Sequence, residues 1–218
     1  MMAYAPPQAK LEVVFADDFL VAIDKPSGLL SVPGRGADKA DCALSRVQSS
    51  FPDALTVHRL DMATSGLLLF ARSKEMQRAL SGQFACGEVT KHYFADVWGA
   101  PAEASGEINL PLVTDWPRRP LQKVDWETGK PSITRYETLS VSGRVSRLAL
   151  APLTGRSHQL RVHLAEIGHP ILGDEFYAHA EALAARPRLA LHAASLELIH
   201  PASGVDLKLD SRCPFDPP

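Results

Sequence analysis

Apolar residues fall in short runs along the chain, and the spacing within each run predicts its element. LEVVFAD (11–17) and FLVAIDKP (19–26) read as two strands joined by a turn at Asp17-Asp18. KPSGLLSVPGRG (25–36) is dense in Gly and Pro and reads as a loop. Ala40, Leu44, Val47 and Phe51 recur at helical spacing, which predicts an amphipathic helix over 38–50. A short strand at 56–57, an HRLD turn and a buried strand GLLLFA (66–71) follow. Ser73 can cap a helix whose inner face carries Met76, Leu80 and Phe84, with Gly87 just past its end. KHYFADVWG (91–99) is a strand. Alternation puts Lys91, Tyr93, Ala95 and Val97 on one face and His92, Phe94, Asp96 and Trp98 on the other. Segments 132–141 and 145–151 pair about Ser142-Gly143. Ser157 can cap a helix with Leu160, Leu164 and Ile167 on one face, stopped by Gly168 and Pro170. LALHAASLELIHP (189–201) and VDLKLD (205–210) form a closing hairpin about Ser203-Gly204. Strands outnumber helices without regular alternation. The expected class is α+β, with a mixed, largely antiparallel sheet flanked by helices. The expected organisation is a flexible segment over 1–10 and one domain over 11–218.

Composition narrows the class. The 218 residues are 45% hydrophobic and 22% charged, ordinary values for a globular chain with a sizeable core. No apolar run approaches the roughly 20 residues of a membrane span. MMAYAPPQAK has no apolar signal region, so a cytoplasmic protein is expected. Three cysteines (Cys42, Cys86, Cys213) with no CxxC argue against a disulfide scaffold or structural zinc. The net charge of −2 hides an asymmetry: residues 115–161 hold nine Lys/Arg against four Asp/Glu, a net of +5. Such a stretch is either a solvated face or a phosphate-binding surface.

Asp61, in HRLDMATSGLLLFA (58–71), is the leading candidate for chemistry. It could simply pair with Arg59 or cap a turn. It could also be a nucleophile or general base, because a carboxylate beside an apolar run needs a cation or donors next to it. Arginine suits that role through its planar fork. LTGRSHQLRVHLAEIGHP (153–170) supplies candidates, with Arg161 one turn into its helix. His158 and His163 are five apart, the wrong spacing for a helical zinc pair, and no metal site is expected. Tyr93 is either core packing or an aromatic able to stack on a nucleobase. TSG at 64–66 is no nucleophile elbow, and GRG at 34–36 lacks the rest of a nucleotide fingerprint.

Five segments together resemble the RluA family of pseudouridine synthases. HRLDMATSGLLLFA resembles its signature, DKPSGLLSVPGR (24–35) its first motif and KHYFADVWG its tyrosine motif. LTGRSHQLRVHLAEIGHPILGD (153–174) resembles its arginine motif and LALHAASLELIHP its closing strand. The likeness runs from about residue 12 to the end. DWPRRPLQKVDWETGKP (115–131) narrows it to the dual-specificity members, which lack an S4 RNA-binding domain.

The resemblance implies a pseudouridine synthase fold with a central RNA-binding cleft. It makes Asp61 the catalytic aspartate, paired with Arg161, and Tyr93 the group that stacks on the target base and assists proton transfer at C5. Arg59 would enter the RNA stack as the target leaves it. Further RNA contacts are expected from His58, Arg156, Arg118, Arg119 and Lys123. Implied substrates are large-subunit rRNA and the tRNA anticodon stem-loop. Moving the glycosidic bond from N1 to C5 needs no metal, redox cofactor or energy donor. The protein is expected to act as a monomer without an obligatory protein partner or membrane contact. Open alternatives are a relative acting on another rRNA uridine, a non-catalytic RNA-binding protein of this fold, and a glycosylase, which would release free uracil.

Overall fold

The computed structural model describes residues 4–216. In chain order the strands are β1 (Glu12–Ala16), β2 (Leu20–Lys25), β3 (Leu55–Thr56), β4 (Ser65–Ala71), β5 (Thr90–Trp98) and β6 (Ser105–Asn109). They continue with β7 (Leu112–Thr114), β8 (Gln122–Val124), β9 (Ile133–Ser142), β10 (Val145–Pro152), β11 (Leu191–Ile199) and β12 (Asp206–Asp210). The α-helices are α1 (Ala43–Gln48), α2 (Lys74–Cys86), α3 (Gln159–Glu166) and α4 (Ala180–Ala184). Two compact units contain them: described residues 4–91 with 193–212, and 92–192 with 213–216. The class is α+β with mostly antiparallel strands, as expected. No described helix is long and apolar enough to cross a membrane.

In the first unit β2 pairs antiparallel with β1 and β4, β3 pairs with β4, and β11 with β12. Every residue of β4 is buried, so its continuous apolar run is core on both faces. Leu67 and Leu69 of β4 pack with Leu20 and Ala22 of β2 and with Met76 and Leu80 of α2. α2 begins where Ser73 accepts the Met76 N–H at 3.1 Å and ends at left-handed Gly87, as the sequence predicts. The helix expected over 38–50 is shorter. A 3₁₀ turn (Ala37–Lys39) precedes α1, and the chain is extended at Cys42 (φ −156°). There Cys42 Sγ accepts from the Ser45 N–H while Ser45 Oγ accepts from the Cys42 N–H, a reciprocal cap that starts α1 late.

In the second unit β10 lies between β5 and β9, and β9 also pairs with β6, all antiparallel. β7 and β8 form a separate hairpin. β5 departs from simple alternation: Ala95, Asp96 and Val97 are all buried. Asp96 is held by Arg147 at 2.8 Å and Arg186 at 2.9 Å, so its charge is met inside the unit.

α3 differs from the expected amphipathic helix in two ways. Its N-cap is His158, in the left-handed region at φ 53°, rather than Ser157. Residues 159–164 are all buried, including Gln159, Arg161 and His163. Polar partners make this possible. Gln159 Nε2 donates to the Ile133 carbonyl and Thr134 Oγ1, each at 3.0 Å. His163 meets Ser132 Oγ at 3.1 Å and Thr134 Oγ1 at 3.0 Å. These bonds dock one side of α3 on β9.

Candidate active site

Asp61 stands half-buried in the loop between β3 and β4. Donors from the 25–29 turn and Ser31 fix the backbone on both sides of it. The wholly buried Lys25 ammonium donates to the Met62 carbonyl at 3.1 Å and to the Leu29 and Pro26 carbonyls at 2.8 and 3.0 Å. The Gly28 N–H donates to the Met62 carbonyl at 2.8 Å, and Ser27 Oγ to the Ala63 carbonyl at 2.6 Å. Ser31 Oγ donates to the Leu60 carbonyl at 2.7 Å and accepts the Leu60 N–H at 3.0 Å. The first motif is therefore a clamp on Leu60 and Met62, which flank Asp61, and on Ala63 one residue further. Sequence reasoning did not assign this job to Lys25, Ser27 or Ser31. The Gly/Pro-rich loop was legible, but its target was not.

His58 holds the other end of the same loop. Its Nε2 accepts the Leu69 N–H at 3.0 Å and its ring stacks on Phe84 at 4.4 Å. A nitrogen accepting an amide N–H carries no proton, so the ring is the Nδ1–H tautomer. Burial first, and the Lys91 ammonium second, push its pKa down to about 3. Arg59, between this anchor and Asp61, is exposed.

Tyr93 and Arg161 belong to the second unit. Tyr93 sits half-buried on β5, opposite Leu150 of β10. Arg161 is buried on α3, its Nε and one Nη donating to Asp174 at 2.8 and 2.6 Å. Asp174 also accepts the N–H groups of Phe176 and Tyr177 at 2.9 and 3.3 Å. Their rings then lie against the guanidinium, with centroids 4.9 and 5.3 Å from its carbon. The fork contact fixes the guanidinium plane. Tyr177 extends the network: its hydroxyl accepts the Gln122 N–H at 2.9 Å and lies 2.7 Å from His158 Nδ1. Left-handed His158 is thereby tied to β8. Asp174, Phe176 and Tyr177 had not been singled out. GDEFY reads as an ordinary turn until Arg161 is placed beside it.

The remaining expected contacts lie on the surface of the second unit. Arg118 pairs with Asp115 at 2.6 Å and Lys123 with Asp125 at 3.2 Å. The Arg119 guanidinium lies 4.3 Å from the Trp116 ring centroid. Arg156 is exposed, its Nε donating to the Pro131 carbonyl at 3.2 Å. Among the described residues no group of three or more His, Cys, Asp or Glu could hold a metal ion.

The family model for RNA pseudouridylate synthases matches residues 19–166, which include Asp61, Tyr93 and Arg161. The chain is 49% identical over 217 residues to the dual-specificity RNA pseudouridine synthase RluA of Escherichia coli K12, covering 99% of both. It is 51% identical over 203 residues to the RluA of Pasteurella multocida, covering 92% of this chain and 93% of the other. The solved human RNA pseudouridylate synthase domain containing 1 matches at 27% identity with a TM-score of 0.79, over 97% of this chain and 87% of that one. A family match through the clamp, the Asp61 loop, β5 and α3, with half the residues shared with such synthases, places the chain in the RNA pseudouridylate synthase family, as an isomerase that forms pseudouridine.

Proposed function

We propose that this isomerase acts on structured RNA loops of two classes, large-subunit rRNA and the tRNA anticodon stem-loop, with Asp61 as its catalytic carboxylate. The observation that carries the reading is the double mounting of the Asp61 loop. Lys25, Ser27, Gly28 and Ser31 hold its backbone on one side, and His58 anchors it to β4 on the other. A carboxylate carried on a backbone held at both ends suits a reaction whose reactant must be met in one geometry. The dual specificity of the RluA relatives supports the choice of substrates.

In the proposed reaction the C1′–N1 bond breaks, the uracil turns, and C1′ bonds to C5. The C5 proton is lost and N1 gains one, so the product is an isomer. Asp61 starts bond cleavage, Arg161 is its cation, and Tyr93 stacks on the base and assists at C5. Arg59 fills the gap left by the flipped nucleotide, whose extraction costs a few kcal/mol and is cheapest from a loop. His58 serves as an anchor of the loop, and Arg118, Arg119, Lys123 and Arg156 meet phosphates. The enzyme works in the cytoplasm as a monomer.

The test incubates the purified chain with unmodified tRNA and rRNA-hairpin transcripts and maps pseudouridine by carbodiimide-stop primer extension. Stops at one uridine in each RNA, absent with Asp61→Asn although that variant still binds, are expected. Full-rate conversion by Asp61→Asn would overturn the role of Asp61. Stops in one RNA alone would overturn the dual range, and release of free uracil would turn the reading to a glycosylase.

A further inference from the structure

We propose that Trp116, backed by Arg119, is a stacking platform for one unpaired nucleobase of the RNA. The inference rests on the proposed RNA-loop substrate and adds a binding residue to it. Trp116 is 65% exposed, although a tryptophan side chain is mostly apolar surface and ordinarily finds cover. It sits in the 3₁₀ turn Trp116–Arg118 between β7 and β8. That turn is closed rather than loose. Buried Asp115 binds Arg118 at 2.6 Å, the Asp115 N–H donates to the Leu121 carbonyl at 2.9 Å, and the Leu121 N–H returns to the Arg118 carbonyl at 3.1 Å. The indole is thus presented on an ordered base, which lowers the entropy lost when a ligand stacks on it.

The chemistry around the ring selects the partner. The Arg119 guanidinium lies 4.3 Å from the ring centroid and stiffens the indole while adding a positive charge. The exposed Arg118 and Lys123 side chains flank the same hairpin. An exposed aromatic plane with a guanidinium against it, on a hairpin that carries two further cations, fits a base with its phosphates, since every base has a face to stack and an anion beside it. A protein partner would ordinarily call for a broader apolar patch. The position also suits a nucleotide of the target loop. Gln122, which closes the hairpin, donates its N–H to the Tyr177 hydroxyl, and the Tyr177 ring packs on Arg161. Trp126, two residues beyond β8, is 74% exposed and has no ring contact among the described residues, which makes it the natural comparison.

The test uses the full chain with Trp116→Ala, Trp116→Phe and Trp126→Ala, and one stem-loop transcript. Trp116→Ala is expected to raise KM about 5- to 100-fold with little change in kcat. Trp116→Phe, which keeps an aromatic face, should recover most of the loss, and Trp126→Ala should change KM little. Wild-type tryptophan fluorescence should be quenched by the stem-loop but not by a fully paired duplex of equal length, and the quench should disappear in Trp116→Phe. An unchanged KM in Trp116→Ala, an equal loss in Trp126→Ala, or equal quenching by the duplex would overturn the platform. Loss of self-association in Trp116→Ala with RNA affinity intact would assign the surface to a second copy of the chain and overturn it too. Absence of pseudouridine from the wild-type reaction would instead refute the substrate, and the fluorescence comparison would still read the platform. Should Trp116→Ala fail to fold, Trp116→Phe and the wild-type titration suffice.

Discussion

His58 lies three residues before Asp61, and its chemistry is that of an anchor. With Nε2 accepting the Leu69 N–H, protonating that nitrogen would break the bond and leave a cation against Phe84. The native imidazole titrates near 3 against an ordinary 6.5. Between those values the unfolded chain binds more protons, so acid favours unfolding. The stabilisation is complete above about pH 6.5 and is lost as pH falls toward 3, at up to ~1.4 kcal/mol per pH unit. His163 acts in the same sense: burial lowers its pKa, and the Leu110 carbonyl offsets only part of that. Melting temperatures of wild type and His58→Gln between pH 8 and pH 4 test the point. Wild type should lose stability more steeply below pH 6.5, because glutamine keeps an acceptor but does not titrate. Parallel curves would refute the anchor. Arg161 makes a related point at the same scale. A residue's type can signal chemistry, but Asp174, Phe176 and Tyr177 decide how its guanidinium is held.

Among the elements, β4 carries the most consequence, because it leaves the Asp61 loop and enters the core directly. Gly66 near its start has φ +109°, a backbone that side chains with a Cβ avoid. A Cβ there would collide with the Ala193 carbonyl and stand 2.6 Å from the Ala193 nitrogen. Gly66→Ala should therefore push β4 away from the strand segment beginning at Ala193, at a cost of about 3–5 kcal/mol. Urea unfolding measures this, and a midpoint within experimental error of wild type would contradict the close approach. The same comparison of elements shows what could be read from sequence. The hairpins β1–β2, β9–β10 and β11–β12 declared themselves through short apolar runs bounded by Asp, Ser and Gly, and α2 through its serine and glycine ends. β6, β7 and β8 escaped because three short strands in a stretch rich in Gly and Pro carry too little periodicity, and five-residue α4 is equally faint. α1 started late because a cysteine cap is not a usual start signal. The buried polar face of α3 could not be read locally, since Ser132 and Thr134 come from β9 and the turn before it. The candidate site was legible as motifs and illegible as supports. Asp61, Tyr93 and Arg161 stand out in their segments, whereas Lys25 and Asp174 gain meaning only from backbone groups and side chains distant in sequence.

For the whole molecule the argument turns on charge. Nine cations between residues 115 and 161 suggest a basic face under a net charge of −2. Two of the nine cannot serve it, because Arg147 and Arg161 are buried against Asp96 and Asp174. The other seven (Arg118, Arg119, Lys123, Lys130, Arg135, Arg144 and Arg156) are exposed. Each cation that meets a phosphate releases counterions, so log affinity should fall linearly with log salt, by about 0.7–0.9 per contact. Seven contacts would set the slope near −6 at most, and three or four would place it near −3. The measurement titrates the stem-loop into Asp61→Asn, which keeps the shape of the side chain and, on the proposed role of Asp61, prevents turnover, at several concentrations of potassium chloride. Arg119→Gln should flatten the slope by about one. Arg147→Met should leave it unchanged while lowering the melting temperature, because its charge faces Asp96 inside the unit. A slope near zero would remove the basic face from RNA recognition altogether. A slope that responded to Arg147 as strongly as to Arg119 would show that binding reads the integrity of the second unit rather than its surface charge.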